Sequence, residues 1–147
     1  MASENNKALN FQLTKINTKD FQIIDSAFDL KSGADVGLNM GIDFAVNKEE
    51  KFVVSTVNVK FLQNEKAFIV ISVEGEFMID KISWGYLVKE EDNITLPQGL
   101  AAHFADIVVN TLRGVLHAKT EGSDFNKFLF PMVNVSQFIT GDISVTD

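Results

Sequence analysis

Residues 94–116, ITLPQGLAAHFADIVVNTLRGVL, decide the fold, because they contain the clearest long helical pattern in the chain. Their apolar residues recur at spacings of three and four, which places them on one side of an α-helix. These residues are Leu100, Phe104, Ile107, Val108, Leu112, Val115 and Leu116. The polar residues on the opposite side are His103, Asp106, Asn110 and Arg113. Pro97 suits the first helical turn, where no amide hydrogen bond is lost, and Gly114 is expected to end the helix in a left-handed cap.

The sequence before this helix has the period of two that is typical of strands. Leu9, Phe11 and Leu13 alternate with polar residues, and the alternation resumes at Phe21. Because the pattern slips between these two stretches, we expect residues 18–20 to form a bulge within one long edge strand. Three more alternating stretches follow, at residues 36–46, 52–62 and 67–79.

The last three strands are joined by short turns, which predicts antiparallel pairing, because parallel strands need long crossover connections. The sequence therefore predicts an α+β fold, in which a four-stranded antiparallel sheet has one long and one short helix packed on one side. The short helix is expected at residues 135–139, and residues 117–128 are expected to form a polar loop. Residues 1–8 are expected to be a disordered tail, and residues 9–147 a single domain.

Composition and charge argue against several classes of function. The net charge of −7 repels phosphate backbones, so we expect no nucleic-acid partner. The absence of Cys removes thiolate zinc sites and Cys nucleophiles. No apolar run is long enough for a membrane span, and the first ten residues do not form a secretory signal. We therefore expect a cytoplasmic protein without a membrane partner.

The residue types that carry out catalysis do not form a recognisable motif. His103 and His117 are the only histidines, and they lack the spacing of a zinc motif. The acidic run at residues 90–92 is expected to be a solvated loop. We therefore expect no catalytic activity, no cofactor and no metal site. The competing interpretation is a small-ligand domain or enzyme on a similar scaffold, with some of the 13 Phe residues lining a closed pocket.

The chain has more apolar surface than one helix and one sheet are expected to bury. Phe68 and Val70 lie on the second face of the last predicted strand. On the helix, Ala101, Ala105 and Val109 flank the main apolar stripe. Because extended apolar patches usually mark contacts with other chains, we expect an oligomer that uses Ala105 and Val109 in its interface.

Three stretches carry motifs of one known family. The first is FQLTKINTKD, from Phe11 to Asp20, which begins with Phe-Gln and reaches Thr-Lys-Asp. The second begins at Leu96-Pro97, continues through a helix ending in Arg113-Gly114, and reaches Pro131-x-Val133-Asn134 and Phe138. The third is Ala67-Phe68-Ile69 in the last strand. In their order along the chain, with Ala67-Phe68-Ile69 between the other two stretches, the motifs resemble those of the SecB family of bacterial protein-export chaperones.

The resemblance implies a homotetramer, assembled as a dimer of dimers, that binds unfolded polypeptides in apolar grooves and keeps precursors competent for export. The negative net charge agrees with this, because it favours basic clients. The residues expected to bind polypeptide are Leu38, Met40, Ile42, Phe68 and Phe138, with core packing as the alternative for each. The resemblance also implies that Asp20 contacts the translocase ATPase, and Glu74 and Glu76 are expected to add charge on the same face.

The chain also departs from the family pattern. Residues 115–130 form a longer connection, the C-terminal tail is shorter, and Ile71 stands where the family has a carboxylate. The alternative that fits these departures is that the chain is a divergent relative of the family, such as one of the SecB-like chaperones of toxin–antitoxin systems. The partner is then a toxin or antitoxin protein, and the ATPase contact is lost.

Overall fold

In the computed structural model, which describes residues 9–89 and 93–146, four long strands form one antiparallel sheet. The strands are β1 (Phe11–Ile23), β2 (Val36–Asn47), β3 (Phe52–Gln63) and β4 (Lys66–Ile79). Their order across the sheet is β1-β4-β3-β2, so β1 and β2 are the two edges. The predicted tail at residues 1–8 and the acidic run at residues 90–92 lie outside the described residues.

The predicted bulge in the first strand is confirmed. The pairing of β1 with β4 shifts register between Thr18 and Asp20, and a second shift lies between Leu13 and Lys15. Two irregularities in one edge strand bend and twist it, which hinders further pairing along that edge. By contrast, β2 pairs with β3 from Val36 to Asn47 without a register shift.

The long helix begins directly after Pro97 and ends later than predicted. It spans α2 (Gln98–Thr120), after a short helix α1 (Lys81–Leu87) that the sequence analysis did not predict. Gly114 does not end the helix, and the predicted loop at residues 117–128 begins with its last turn. The buried stripe continues through Leu116 and Thr120, which are both 1% exposed. Burying these side chains outweighs the cost of about 1 kcal/mol for one helical glycine.

The residues just before α2 and near the C-terminus form a second, two-stranded sheet. Its strands are β5 (Ile94–Leu96) and β6 (Ile143–Val145), which pair antiparallel. Ile94 is therefore a strand residue and not part of the helix. Pro97 directly precedes the first helical residue. The predicted second helix at residues 135–139 is only a 3-10 turn, at Val135–Gln137.

Helix α1 explains the connection after the sheet. The Asp80 carboxylate accepts a hydrogen bond of 2.7 Å from the Ser83 amide and caps the helix, which lowers the pKa of Asp80. Trp84 and Leu87 turn inward and are buried. An Asp followed by apolar residues at helical spacing is the sequence signal that would have revealed this element. With α1 as the short helix, the α+β class is confirmed.

The core lies between the sheet and α2, which packs on β3 and β4. The Phe77 and Phe104 rings stack there with centroids 4.1 Å apart. Gly75 allows the close approach, because a Cβ atom at that position would lie 3.0 Å from Val108 Cγ2. Within the described residues, no helix is long and apolar enough to cross a membrane.

Ser55 is a buried polar residue at the centre of this core. Its side chain is 0% exposed, and its Oγ atom finds no hydrogen-bond partner among the described residues. An unsatisfied buried hydroxyl costs roughly 1–3 kcal/mol. We therefore expect Ser55→Ala to raise the free energy of unfolding by about 1 kcal/mol in urea titrations.

Ser72→Ala is the matched control for this prediction. Ser72 is also buried, but its Oγ donates a hydrogen bond of 2.6 Å to Asn58 Oδ1. Removal of this hydroxyl should lower the free energy of unfolding by about 1 kcal/mol. A loss of stability in Ser55→Ala would contradict the prediction and show that the Ser55 hydroxyl has a partner, such as a buried water.

Candidate functional site

The inner face of β2 carries apolar side chains that the helix does not fully cover. In the pairing of β2 with β3, Leu38 lies opposite Phe61, Met40 opposite Val59 and Ile42 opposite Val57. The side chains of these three β3 residues face the core. Their β3 partners are buried, whereas all three β2 residues remain half-buried. The reason is position, because α2 packs on β3 and β4 while β2 lies at the sheet edge. We call Leu38, Met40 and Ile42 the β2 surface.

The free edge of β2 adds a second feature to this surface. No strand among the described residues pairs with the side of β2 that faces away from β3. An unpaired edge strand presents amide and carbonyl groups that an extended chain can bind by adding a strand. Over its 12 residues, β2 contains no Pro, Lys or Arg and has one carboxylate, Asp43. Apart from Asp43, it therefore lacks the charges that usually block such an edge, and it has no bulge.

Two clefts lie along β2, and both are open to solvent. One has a volume of about 540 Å³ and includes Asp35, Leu38 and Leu62 in its lining. The other has a volume of about 240 Å³ and includes Met40, Asn58 and Lys60. A small-ligand site normally encloses most of its ligand in a concave pocket. Neither cleft encloses a ligand in this way, and most of their lining residues, including Asn39, Asn58 and Lys60, lie on the outer face of the sheet, so the clefts are not part of the β2 surface.

The assignment of Phe68 to this surface is wrong. Phe68 is 0% exposed, and the Phe28 ring covers it with a centroid distance of 4.7 Å. Phe125 and Phe128 cover it further, at 6.1 and 5.0 Å. The pairing of β4 with β3 shifts register at Phe68, so its ring joins Phe61 on the inner face of the sheet, where the connection after β1 and the segment after α2 cover it. Phe68 is therefore a core residue.

The assignment of Ala105 and Val109 to an oligomer interface is also wrong. These residues are 0% and 1% exposed within a single chain. Helix α2 packs not only on the sheet but also on the 3-10 turns at Asp124–Lys127 and Val135–Gln137. The broad apolar stripe of the helix is thus needed inside the chain, and its width is no sign of a partner.

The outer face of the sheet brings Asp20, Glu74 and Glu76 together, as the resemblance implied for Asp20 and the alternation of the last strand for the two glutamates. Asp20 pairs with Ser72, which shares this face with the two glutamates. All three carboxylates already have partners on this face, and Gln22 Nε2 donates hydrogen bonds of 3.1 and 3.2 Å to the two carboxylate oxygens of Asp20. Lys19 Nζ lies 3.1 Å from Glu74 Oε1, and Thr14 Oγ1 donates a hydrogen bond of 2.9 Å to Glu76 Oε2. The role of this face in partner binding stays a prediction.

The C-terminal segment is fastened to α2 by an arginine. Arg113 donates hydrogen bonds to the carbonyl oxygens of Phe130 and Pro131, at 3.2 and 2.9 Å, and to the side chain of Asn110. Its guanidinium also lies over the Phe130 ring. Phe138 follows the turn at Val135–Gln137 and is 52% exposed, so it is available to a partner.

The titratable side chains of the described residues suggest no reaction centre. His103 is exposed beside the Phe11 ring, while His117 lies at the far end of α2, 3.7 Å from Glu121. In residues 9–89 and 93–146, no three His, Asp or Glu side chains lie close enough together to hold a metal ion.

Comparison with known proteins gives a structural likeness without sequence support. No protein-family model and no curated protein matches the sequence. The fold is similar to that of a SecB-like chaperone from Mycobacterium tuberculosis, solved in complex with a peptide from an antitoxin. The TM-score is 0.53 at 8% sequence identity, and the alignment covers 84% of this chain and 90% of the other. At this identity the likeness shows a shared fold.

Proposed function

We propose that this chain is a chaperone that binds unfolded polypeptide segments along β2. The observation that most directly supports this proposal is the regular, unpaired edge of β2, with the half-buried side chains of Leu38, Met40 and Ile42 beside it. The fold likeness to a chaperone that holds a peptide supports the same function. Phe138 is proposed as a further contact because it is an exposed aromatic side chain.

Binding along an edge strand explains how such a site tolerates many sequences. Backbone hydrogen bonds to β2 supply affinity that is independent of the client's side chains. Every second client side chain then faces the inner side of the sheet, where it contacts Leu38, Met40 or Ile42. A folded client has already paired its backbone groups, so only unfolded chains are recognised. The net charge of −7 favours clients with a basic character.

Two biological settings suit this activity. The first is a toxin–antitoxin system, which is supported by the antitoxin peptide in the similar structure. The second is protein export, with the translocase ATPase meeting Asp20, Glu74 and Glu76 on the outer face. All three carboxylates already have partners within the chain on that face, and only the first setting is supported by the similar structure. A cytoplasmic homotetramer, assembled as a dimer of dimers, completes the proposal.

The test of this function is a charge placed on the β2 surface. We expect Met40→Asp to weaken binding of a permanently unfolded polypeptide by about tenfold or more, because a carboxylate would be desolvated against the bound chain. The measurement is fluorescence anisotropy of a labelled client, together with suppression of its aggregation. Asn39→Asp is the matched control, since Asn39 is an exposed neighbour whose side chain points to the other face.

Three results would contradict the proposal. One is wild-type protein that neither binds an unfolded polypeptide nor suppresses its aggregation. Another is unchanged binding in Met40→Asp, with the fold intact by circular dichroism. The third concerns the backbone, because methylation of alternate amide nitrogens in a client peptide removes the donors that strand addition needs. If the methylated peptide binds as well as the parent peptide, the edge of β2 is not used.

A further inference from the structure

Five phenylalanines form an aromatic cluster at one end of the sheet, defined as Phe28, Phe61, Phe68, Phe125 and Phe128. Phe61 and Phe68 belong to β3 and β4 and are buried. The three rings above them are half-buried and come from two different parts of the chain. Phe28 belongs to the connection between β1 and β2, whereas Phe125 and Phe128 follow α2.

The side of the cluster that contains Phe28 is held firmly to the sheet. Buried Gln63 accepts a hydrogen bond of 2.7 Å from the Asp29 amide and donates one of 3.1 Å to the Asp29 carbonyl. The side-chain amide of Gln63 also donates a hydrogen bond of 3.4 Å to the Ala34 carbonyl. The Ile24 amide donates a hydrogen bond of 2.8 Å to the Phe68 carbonyl. The Phe28 ring is thus held in place on this side of the cluster, which we call the fixed wall.

The opposite side, residues 123–128, is held differently, and we call it the aromatic segment. Its hydrogen bonds run within the segment and to the end of α2. Asn126 Nδ2 donates to the His117 carbonyl and to Thr120 Oγ1, both at 3.1 Å. Ser123 Oγ donates to the Thr120 carbonyl at 2.7 Å. Among the described residues the segment makes no hydrogen bond to the sheet, so it can move off the sheet while its two ends stay attached, at the end of α2 and at residues 130–131, which Arg113 holds.

Ring contacts and one cation–π pair hold the aromatic segment against the fixed wall. Phe125 and Phe128 lie 5.8 and 5.3 Å from the Phe28 ring. Lys127 Nζ lies 5.7 Å from the Phe28 ring and 5.4 Å from the Phe128 ring. Such contacts are non-directional or weakly directional, so another aromatic side chain can replace them.

The aromatic cluster is continuous with the β2 surface. Phe61 lies directly opposite Leu38 in the pairing of β3 with β2, on the same face of the sheet. The Phe61 ring in turn lies 6.1 Å from Phe128. A polypeptide bound along β2 in either direction therefore has one end beside the aromatic segment.

We propose that the aromatic segment is an internal competitor, whose Phe125 and Phe128 fill a site that aromatic side chains of a bound unfolded polypeptide occupy once the segment swings away. This inference rests on the proposed function and names its preferred clients, which carry phenylalanine near one end of the bound stretch. The segment keeps Phe68 covered when no client is present. A client without aromatic residues binds to β2 and leaves the segment in place.

The test compares two client peptides against two variants. One unstructured peptide carries two phenylalanines at the spacing of Phe125 and Phe128, and the other carries serine at both positions. We expect the double variant Phe125→Ser/Phe128→Ser to bind the phenylalanine peptide about tenfold more tightly than the wild type does. That factor corresponds to a site that the segment leaves free about one tenth of the time. The serine peptide should bind both proteins equally. Leu129→Ser, at an exposed neighbouring position, is the control and should bind like the wild type.

A second measurement uses the wild-type protein and does not depend on the stability of the variant. Addition of the phenylalanine peptide should lower amide protection at residues 123–128 in hydrogen–deuterium exchange and raise it along β2. The serine peptide should raise protection along β2 alone. Unchanged protection at residues 123–128 with the phenylalanine peptide bound would overturn the competitor role while leaving polypeptide binding intact. Failure of the wild type to bind either peptide would overturn both.

Discussion

Val109→Asp unfolds the chain instead of dissociating an oligomer. Val109 is 1% exposed and belongs to the buried stripe of α2. An unpaired carboxylate in this environment costs several kcal/mol, of the order of 3–5 kcal/mol. The whole stability of a domain is about 5–15 kcal/mol. We therefore expect loss of the cooperative thermal transition, measured by circular dichroism.

Asn110→Asp is the matched control for this substitution. Asn110 is the next residue of the same helix but is exposed, so the same new charge stays in water. Its free energy of unfolding should change by less than about 0.5 kcal/mol. A folded Val109→Asp protein with a lower mass in light scattering would show that Val109 forms an oligomer contact in solution. That result would restore the interface that the burial of this residue argues against.

Phe68→Ala should lower the free energy of unfolding by about 3–5 kcal/mol, the range for removing a buried phenylalanine ring. Phe68 is 0% exposed and loses ring contacts with Phe28, Phe61, Phe125 and Phe128. The measurement is the urea unfolding midpoint, with an unchanged slope as evidence that only stability has changed.

Phe138→Ala is the control, because it removes the same side chain from an exposed position. Phe138 is 52% exposed, and its replacement should change the free energy of unfolding by less than about 0.5 kcal/mol. Under the proposed function, Phe138→Ala instead weakens client binding. Equal losses of stability in the two variants would contradict the core assignment of Phe68.

The two edge strands of the sheet differ in their regularity. The edge strand β1 has two register shifts, and α2 packs chiefly on β3 and β4. The regular strand β2 keeps a free edge and half-buried side chains on its inner face. A free regular edge would favour aggregation if nothing occupied it. A regular free edge on β2 therefore fits the proposed function, in which this edge binds extended chains.

The sequence by itself determined the strands, the long helix and the faces of most side chains. Alternation with a period of two assigned Leu38, Met40 and Ile42 to one face, and the pairing with β3 agrees. These assignments succeed because pleating and helical pitch are local properties of the backbone. Glu74 and Glu76 were placed on one face by the same logic, whereas Asp20, at the predicted bulge, was added to that face only through the family resemblance.

The tertiary structure alone decided which of these faces are covered. Periodicity predicts that Phe68 and Ile69 point in opposite directions, but it reveals neither the register shift between β3 and β4 at Phe68 nor the rings of Phe28, Phe125 and Phe128 that cover it. For the same reason, the width of the stripe that includes Val109 suggested a partner chain, when segments distant in sequence already bury it. Burial depends on contacts between residues far apart in the chain, and a local pattern contains no information about them.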